Sequence, residues 1–181
     1  MSGIGGGNVS GLRERVTAAR QPLGILIVCT GNSARSQIAE ALLATRGKGR
    51  VLATSAGSHP AAQVNPYAIE VLRDHGIQWE DRVPTSIGDL TSRQFDLVIT
   101  VCDNARDACP FFPGARARVH WGMPDPAEHT QPDVARAAFR ETYEALAGRV
   151  DDLLALPLEQ LDPAALRERA QAVHELRGQS T

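Results

Sequence analysis

The chain has 181 residues, 43% of them hydrophobic, and a formal net charge of -2. That length suits one globular domain with its own core, the near-neutral charge gives no basic field for nucleic acid or a membrane surface, and no apolar run reaches the roughly 18 residues that span a bilayer. Three cysteines, Cys29, Cys102 and Cys109, follow no secretory signal, which argues against a disulfide framework and for structural, metal-binding or catalytic thiols in a reducing cytoplasm.

Residues 1–22 carry glycines and three arginines but no apolar segment, and read as a flexible arm with a short helical turn near Leu12 to Ala19. From Leu23 the run LGILIVC is apolar without alternation, the pattern of a strand covered on both faces. RVLATSAG, DLVITVC and ARVHW repeat that pattern. Helical stretches lie between or after these runs. The first follows Arg35 and places Ile38, Leu42 and Leu43 on one face. The second, NPYAIEVLRDHG, has Asn65 to cap it, Pro66 for the first turn and Gly76 to stop it. GDLTSRQF reads as a third. A long one covers residues 132–156, with Leu146, Val150, Leu153 and Leu154 at helical spacing, and a last one follows Asp162 with Pro163 in its first turn. Strands alternating with helices predict an α/β fold, a doubly wound four-stranded parallel sheet flanked by helices. The expected organisation is an arm over 1–22, a catalytic domain over 23–156 and a C-terminal helical extension over 157–181. Ligands of such sheets bind beyond the carboxyl ends of the strands, where Cys29 and Cys102 both fall.

The stretch CTGNSARS joins a strand to a helix. The backbone N–H groups of Thr30, Gly31, Asn32, Ser33, Ala34 and Arg35 therefore converge near a helix N-terminus, an arrangement that binds an oxyanion. Arg35 adds a planar, permanently charged fork able to hold two oxygens of a tetrahedral anion. The same positive surroundings are expected to lower the pKa of Cys29, and Ser36 could donate a hydrogen bond to its sulfur. Gly31 and Asn32 tolerate the left-handed backbone that a tight loop needs. A nucleotide-type phosphate loop fits poorly, because no lysine follows the second glycine; RGKG at 46–49 precedes a strand and reads as a turn. A bare C-x5-R arises by accident. The strand before it, the serine after it and the helix beyond make this one a candidate nucleophile in an anion cradle.

VCTGNSARSQIAEALL closely resembles the active-site loop of the low-molecular-weight protein tyrosine phosphatase fold and, within it, that of the thioredoxin-coupled arsenate reductases. The resemblance continues through TSAGSHP, VNPYAIEVLRDHGI, DLVITVCDNARDACP and HWGMPDPA, from about Leu23 to Leu156. It implies a low-molecular-weight phosphatase-like fold and makes Asp125, in the Asp-Pro of MPDPA, the general acid; an Asp-Pro pair on its own reads equally as a turn. Phosphatases of this fold follow that pair with aromatic residues that flank a phenyl ring. Here Ala127, Glu128 and His129 follow, which counts against phosphotyrosine.

Hydrolysis of a phosphate ester needs one cysteine, whereas arsenate reduction needs two electrons and so more than one sulfur. Cys102 and Cys109 are seven residues apart. In a helix they would share a face about 10 Å apart, too far to bond without unwinding. Taken alone they could be a buried strand-end residue and an incidental thiol, or join His120 in a zinc site that lacks a fourth ligand at a recognisable spacing. The resemblance implies a relay: Cys29 attacks arsenate, Cys102 resolves Cys29, and Cys109 resolves Cys102 to leave a disulfide for thioredoxin. It also implies no organic cofactor, electrons from an external thiol donor, and phosphate or sulfate as competing anions. Many relatives carry cysteine where this chain has Ala34, a position the relay does not use. Some relatives bind potassium near the loop; Asn32, Glu40 and Ser55 match that pattern, but the spacing before DLVITVC differs, so the aspartate it also uses is not matched securely. The whole reading expects a cytoplasmic monomer that reduces arsenate. A phosphate-monoester hydrolase, or a non-enzymatic oxyanion- or redox-sensing module, is the alternative.

Overall fold

In the computed structural model, residues 21–102 and 112–178 are described. The helical turn expected near Leu12 to Ala19, and Cys109, lie outside them. Strands β1 (Leu23–Cys29), β2 (Val51–Gly57), β3 (Phe95–Thr100) and β4 (Ala115–His120) form one parallel sheet in the order β2-β1-β3-β4. The helices are α1 (Arg35–Arg46), α2 (Pro66–Asp74), α3 (Pro132–Ala155) and α4 (Pro163–Gly178). The central strand shows why the apolar runs do not alternate: Ile25, Leu26, Ile27 and Val28 are all fully buried, because helices cover both faces of a parallel sheet. No helix among the described residues is long and apolar enough to cross a membrane.

Local chemistry sets the helix ends. Asn65 accepts a hydrogen bond from Tyr67 N at 2.9 Å, Pro66 occupies the first turn of α2, and Gly76 leaves the helix with φ +77°. Asp162 caps α4 through Ala165 N at 2.8 Å. Helix α3 buries Leu146, Val150 and Leu153, with Leu154 half-buried beside them. Helix α4 packs on β4, and the fully buried Trp121, the residue after that strand, donates from Nε1 to Ala170 O at 2.9 Å.

One expected helix does not form. GDLTSRQF gives only a 3-10 turn over Ile87–Leu90, capped by Ser86, after which the chain turns and Phe95 enters β3. Burial of that ring, 2% exposed and packed against Phe112 with centroids 5.7 Å apart, outweighs the weak helical pattern. Strand β3 ends at Thr100, two residues before Cys102. Because β1 has β2 on one side and β3 on the other, its carboxyl end is the topological switch point of the sheet. Cys29 ends β1 at that point.

Candidate active site

The loop from Cys29 to Ala34 is held from behind by the segment after β2. Ser58 N, His59 N, Ala61 N and Asn65 N donate to the carbonyls of Cys29, Thr30, Gly31 and Ser33 at 2.8–3.2 Å. The carbonyls are thus turned outward, and among the described residues the N–H groups of Gly31, Ser33 and Ala34 have no protein acceptor. Helix α1 starts without a side-chain cap and without an acidic residue in its first turn, so its N-terminal donors stay available to an anion. Asn32, at φ 48°, is the left-handed residue of the loop, while Gly31, whose type admits the same backbone, stays at negative φ. Gly57 lets the loop approach, since a Cβ there would collide with Thr30 O and Asn32 N.

Cys29 is 3% exposed. Its Sγ receives Asn32 N–H at 3.0 Å and lies 2.9 Å from Ser36 Oγ. The expected fall in its pKa is overturned: burial pushes the thiol up, against the bonds from Ser36 and Asn32, with Cys102 adding to the rise and Arg35 opposing it least. The weak influence of Arg35 follows from where its fork goes. Nη2 pairs with Asp125 Oδ2 at 2.7 Å and Nη1 donates to Met123 O at 2.9 Å. Its Nε is buried without a hydrogen-bond partner. Asp125 uses its other oxygen to cap the 3-10 turn Pro126–Glu128 through Ala127 N at 3.0 Å, so the turn role and a place at the site coexist.

Cys102 is a second buried thiol, 4% exposed, with Sγ 3.4 Å from Oγ1 of Thr30, the residue next to Cys29. The sheet thus brings Cys29, Arg35, Ser36, Asp125 and Cys102 to one end. Among the described residues no three His, Cys, Asp or Glu side chains are placed to hold a metal ion; His120, considered for zinc, lies with Nδ1 2.8 Å from Thr100 Oγ1.

Asn32, Glu40 and Ser55 do meet. Asn32 Nδ2 donates to Ser55 Oγ at 2.8 Å, and Ser55 Oγ donates to Glu40 Oε2 at 2.5 Å. The set does not fit potassium, because Asn32 turns its nitrogen, not its oxygen, toward Ser55. Its Oδ1 is taken by Thr85 N at 2.7 Å and Gln37 Nε2 at 3.2 Å, and Arg82 brings its own cation to Glu40 at 3.5 Å. Burial pushes the Glu40 carboxyl up, opposed by Ser55 and Arg82. Gln37, Gly57, Trp79 and Thr85 belong to this shell, and nothing in the sequence marks a side chain as buried or a glycine as a point of close approach.

The family model for the low molecular weight phosphotyrosine protein phosphatase matches residues 24–171. The arsenate reductase of Halalkalibacterium halodurans is 34% identical over 127 residues, 70% of this chain and 91% of that protein. Among solved structures, an arsenate reductase in the phosphate binding state superposes with a TM-score of 0.63 at 28% identity, covering 74% of this chain and 97% of the other. The thioredoxin-dependent arsenate reductase of Corynebacterium glutamicum gives 0.58 at 31% identity, covering 75% of this chain and 62% of the other.

Proposed function

The chain belongs to the low molecular weight phosphotyrosine protein phosphatase family, and from that membership we propose that it is the kind of member that reduces arsenate to arsenite. The observation that carries this reading beyond the cradle itself is the second buried thiol beside the loop, Cys102 against Thr30. A hydrolase has no use for it, because water resolves its intermediate. The relatives named arsenate reductase point the same way.

Arsenate docks on the N–H groups of the loop and on Arg35 Nε, while Nη1 and Nη2 hold the segment that carries Asp125. With its pKa raised, the Cys29 thiol gives its proton to an arsenate oxygen as the anion enters. Its sulfur then attacks arsenic, and Asp125, entering the step in its protonated form, gives that proton to the oxygen that leaves as water and is left as the carboxylate paired with Arg35. Cys102 attacks Cys29 Sγ: a sulfur–sulfur bond forms, the sulfur–arsenic bond breaks, and its electron pair stays on arsenic, which leaves as arsenite. Cys109 then attacks Cys102 and frees Cys29. An external dithiol, thioredoxin in this reading, reduces the Cys102–Cys109 disulfide and supplies the two electrons.

The test is arsenite production by the purified chain with thioredoxin and its reductase, set beside glutaredoxin with glutathione. Turnover with thioredoxin, absent in Cys29→Ser, is the expected result. No arsenite with either donor, together with aryl phosphate hydrolysis that persists in Cys102→Ser, would instead make the chain a phosphatase, for which Cys29, Arg35 and Asp125 suffice.

A further inference from the structure

Both hydrogen-bonding groups on the Cys29 sulfur depend on the pose of Asn32. One is its own backbone N–H. The other is Ser36, whose Oγ accepts from Asn32 Nδ2 at 2.9 Å and so has its own proton left for the sulfur 2.9 Å away. Asn32 is fully buried at φ 48°, a conformation that costs a non-glycine residue free energy and needs holding. What holds it is a set of groups that can only donate. Thr85 N–H donates to Asn32 Oδ1, which turns the amide nitrogen toward Ser36 and Ser55. Trp79 Nε1–H donates to Gln37 Oε1 at 2.8 Å, which turns the Gln37 nitrogen toward Asn32. Gln37 Nε2 then donates to both Asn32 O, at 3.1 Å, and Asn32 Oδ1, at 3.2 Å. Gln37 is 2% exposed and Trp79 6%, and Arg82 covers the indole at 4.2 Å from its centroid.

We propose that Gln37, oriented by Trp79, is a positioning residue for the nucleophile: it fixes the left-handed turn at Asn32 and thereby the direction of the two hydrogen bonds donated to the Cys29 sulfur. Neither residue touches the reacting atoms; both act through Asn32. The inference rests on Cys29 being the nucleophile, and it is tested without arsenate, so its failure is separate from failure of the proposed reaction.

The experiment follows alkylation of Cys29 by iodoacetamide against pH, in a Cys102→Ser, Cys109→Ser background where Cys29 is the one remaining cysteine. The groups facing Cys29 are then Arg35 on α1 and the serine at 102; Glu40 and Arg82, beyond Ser55, are common to every variant. Gln37→Met is expected to raise the titration midpoint and slow alkylation at pH 7 about tenfold, the effect of roughly one hydrogen bond to a charged group. Trp79→Phe, which keeps the ring and removes the N–H, should slow it about threefold. The double variant should be no slower than Gln37→Met alone, because Trp79 acts through Gln37. Thermal melts separate this from packing. Variants that melt earlier yet titrate at the parent midpoint would make both residues core packing only and overturn the proposal. Single effects that multiply in the double variant would overturn the orientation of Gln37 by Trp79.

Discussion

Arg35 presents two edges with different tasks. Nη1 and Nη2 are fastened to Met123 O and Asp125, while Nε is buried with no partner. A lysine has one compact charge and cannot fasten the 123–125 segment and meet an anion at once. Arg35→Lys should therefore lower kcat/KM for arsenate by about 10²-fold or more, as losing a preorganised oxyanion donor does; near-normal kcat/KM would show the fork to be unnecessary. Asp125 tests separately. Asn at this position keeps an oxygen for Ala127 N, so the 3-10 turn survives, while the proton donor is lost together with the ion pair to Arg35 Nη2. Asp125→Asn should slow the first step by about 10²–10⁴ in single turnover, with phosphate inhibition changed by no more than a few-fold. An unchanged first step would leave Asp125 as the cap of that turn and the partner of Arg35, with no part in proton transfer.

At the scale of elements, the sequence is most readable where local chemistry decides. Asn65, Pro66 and Gly76 bound α2, and Ile38, Leu42 and Leu43 mark the buried face of α1, because caps and periodicity need no tertiary information. It is least readable where burial decides. GDLTSRQF lost its helix to the packing of Phe95, and the Cys29 thiol is pushed up because desolvation, invisible in a list of charges, outweighs the cradle. The same blindness hid Gln37 and Trp79. The joint between α3 and α4 is another such case, and it carries a pH prediction. Arg149 Nε donates to His174 Nδ1 at 3.1 Å, which requires neutral imidazole, and burial, Arg149 and His120 together hold the His174 pKa below its ordinary value. A depressed folded-state pKa means the unfolded chain binds the proton more readily. The contribution of His174 is therefore fully present above about pH 6.5 and is lost as pH falls toward the lower folded value. Glu40, whose pKa is raised, works in the opposite sense, so the comparison is between two proteins and not along one curve. His174→Gln, which keeps an acceptor for Arg149, should show a smaller loss of Tm between pH 7.5 and 5.5 than the parent. Parallel Tm curves would remove His174 from the acid response.

Across the whole molecule, strand order does what no single motif does. Placing β1 between β2 and β3 brings the end of β1 and the chain just beyond β3 to one crevice. A thiol at position 102 thereby reaches the neighbourhood of a thiol at position 29 across 73 residues of sequence. The spacing alone leaves Cys102 open to other readings; the fold seats it against Thr30, at the end of the sheet where Cys29 lies. If the proposed relay operates, oxidation must move in one direction, from the loop outward, and the order can be trapped. Reduced protein treated with arsenate and no reductant should accumulate a Cys102–Cys109 disulfide, mapped by mass spectrometry after blocking free thiols. Cys109→Ser should stop at Cys29–Cys102, because the thiol for the last exchange is missing. Cys102→Ser should release no arsenite, because in the proposed relay the buried thiol beside the loop is the one that resolves arsenylated Cys29. Full thioredoxin-coupled turnover in either serine variant would end the three-cysteine relay, and a Cys29–Cys109 disulfide in Cys102→Ser would show that position 109 reaches the loop directly, without the middle thiol.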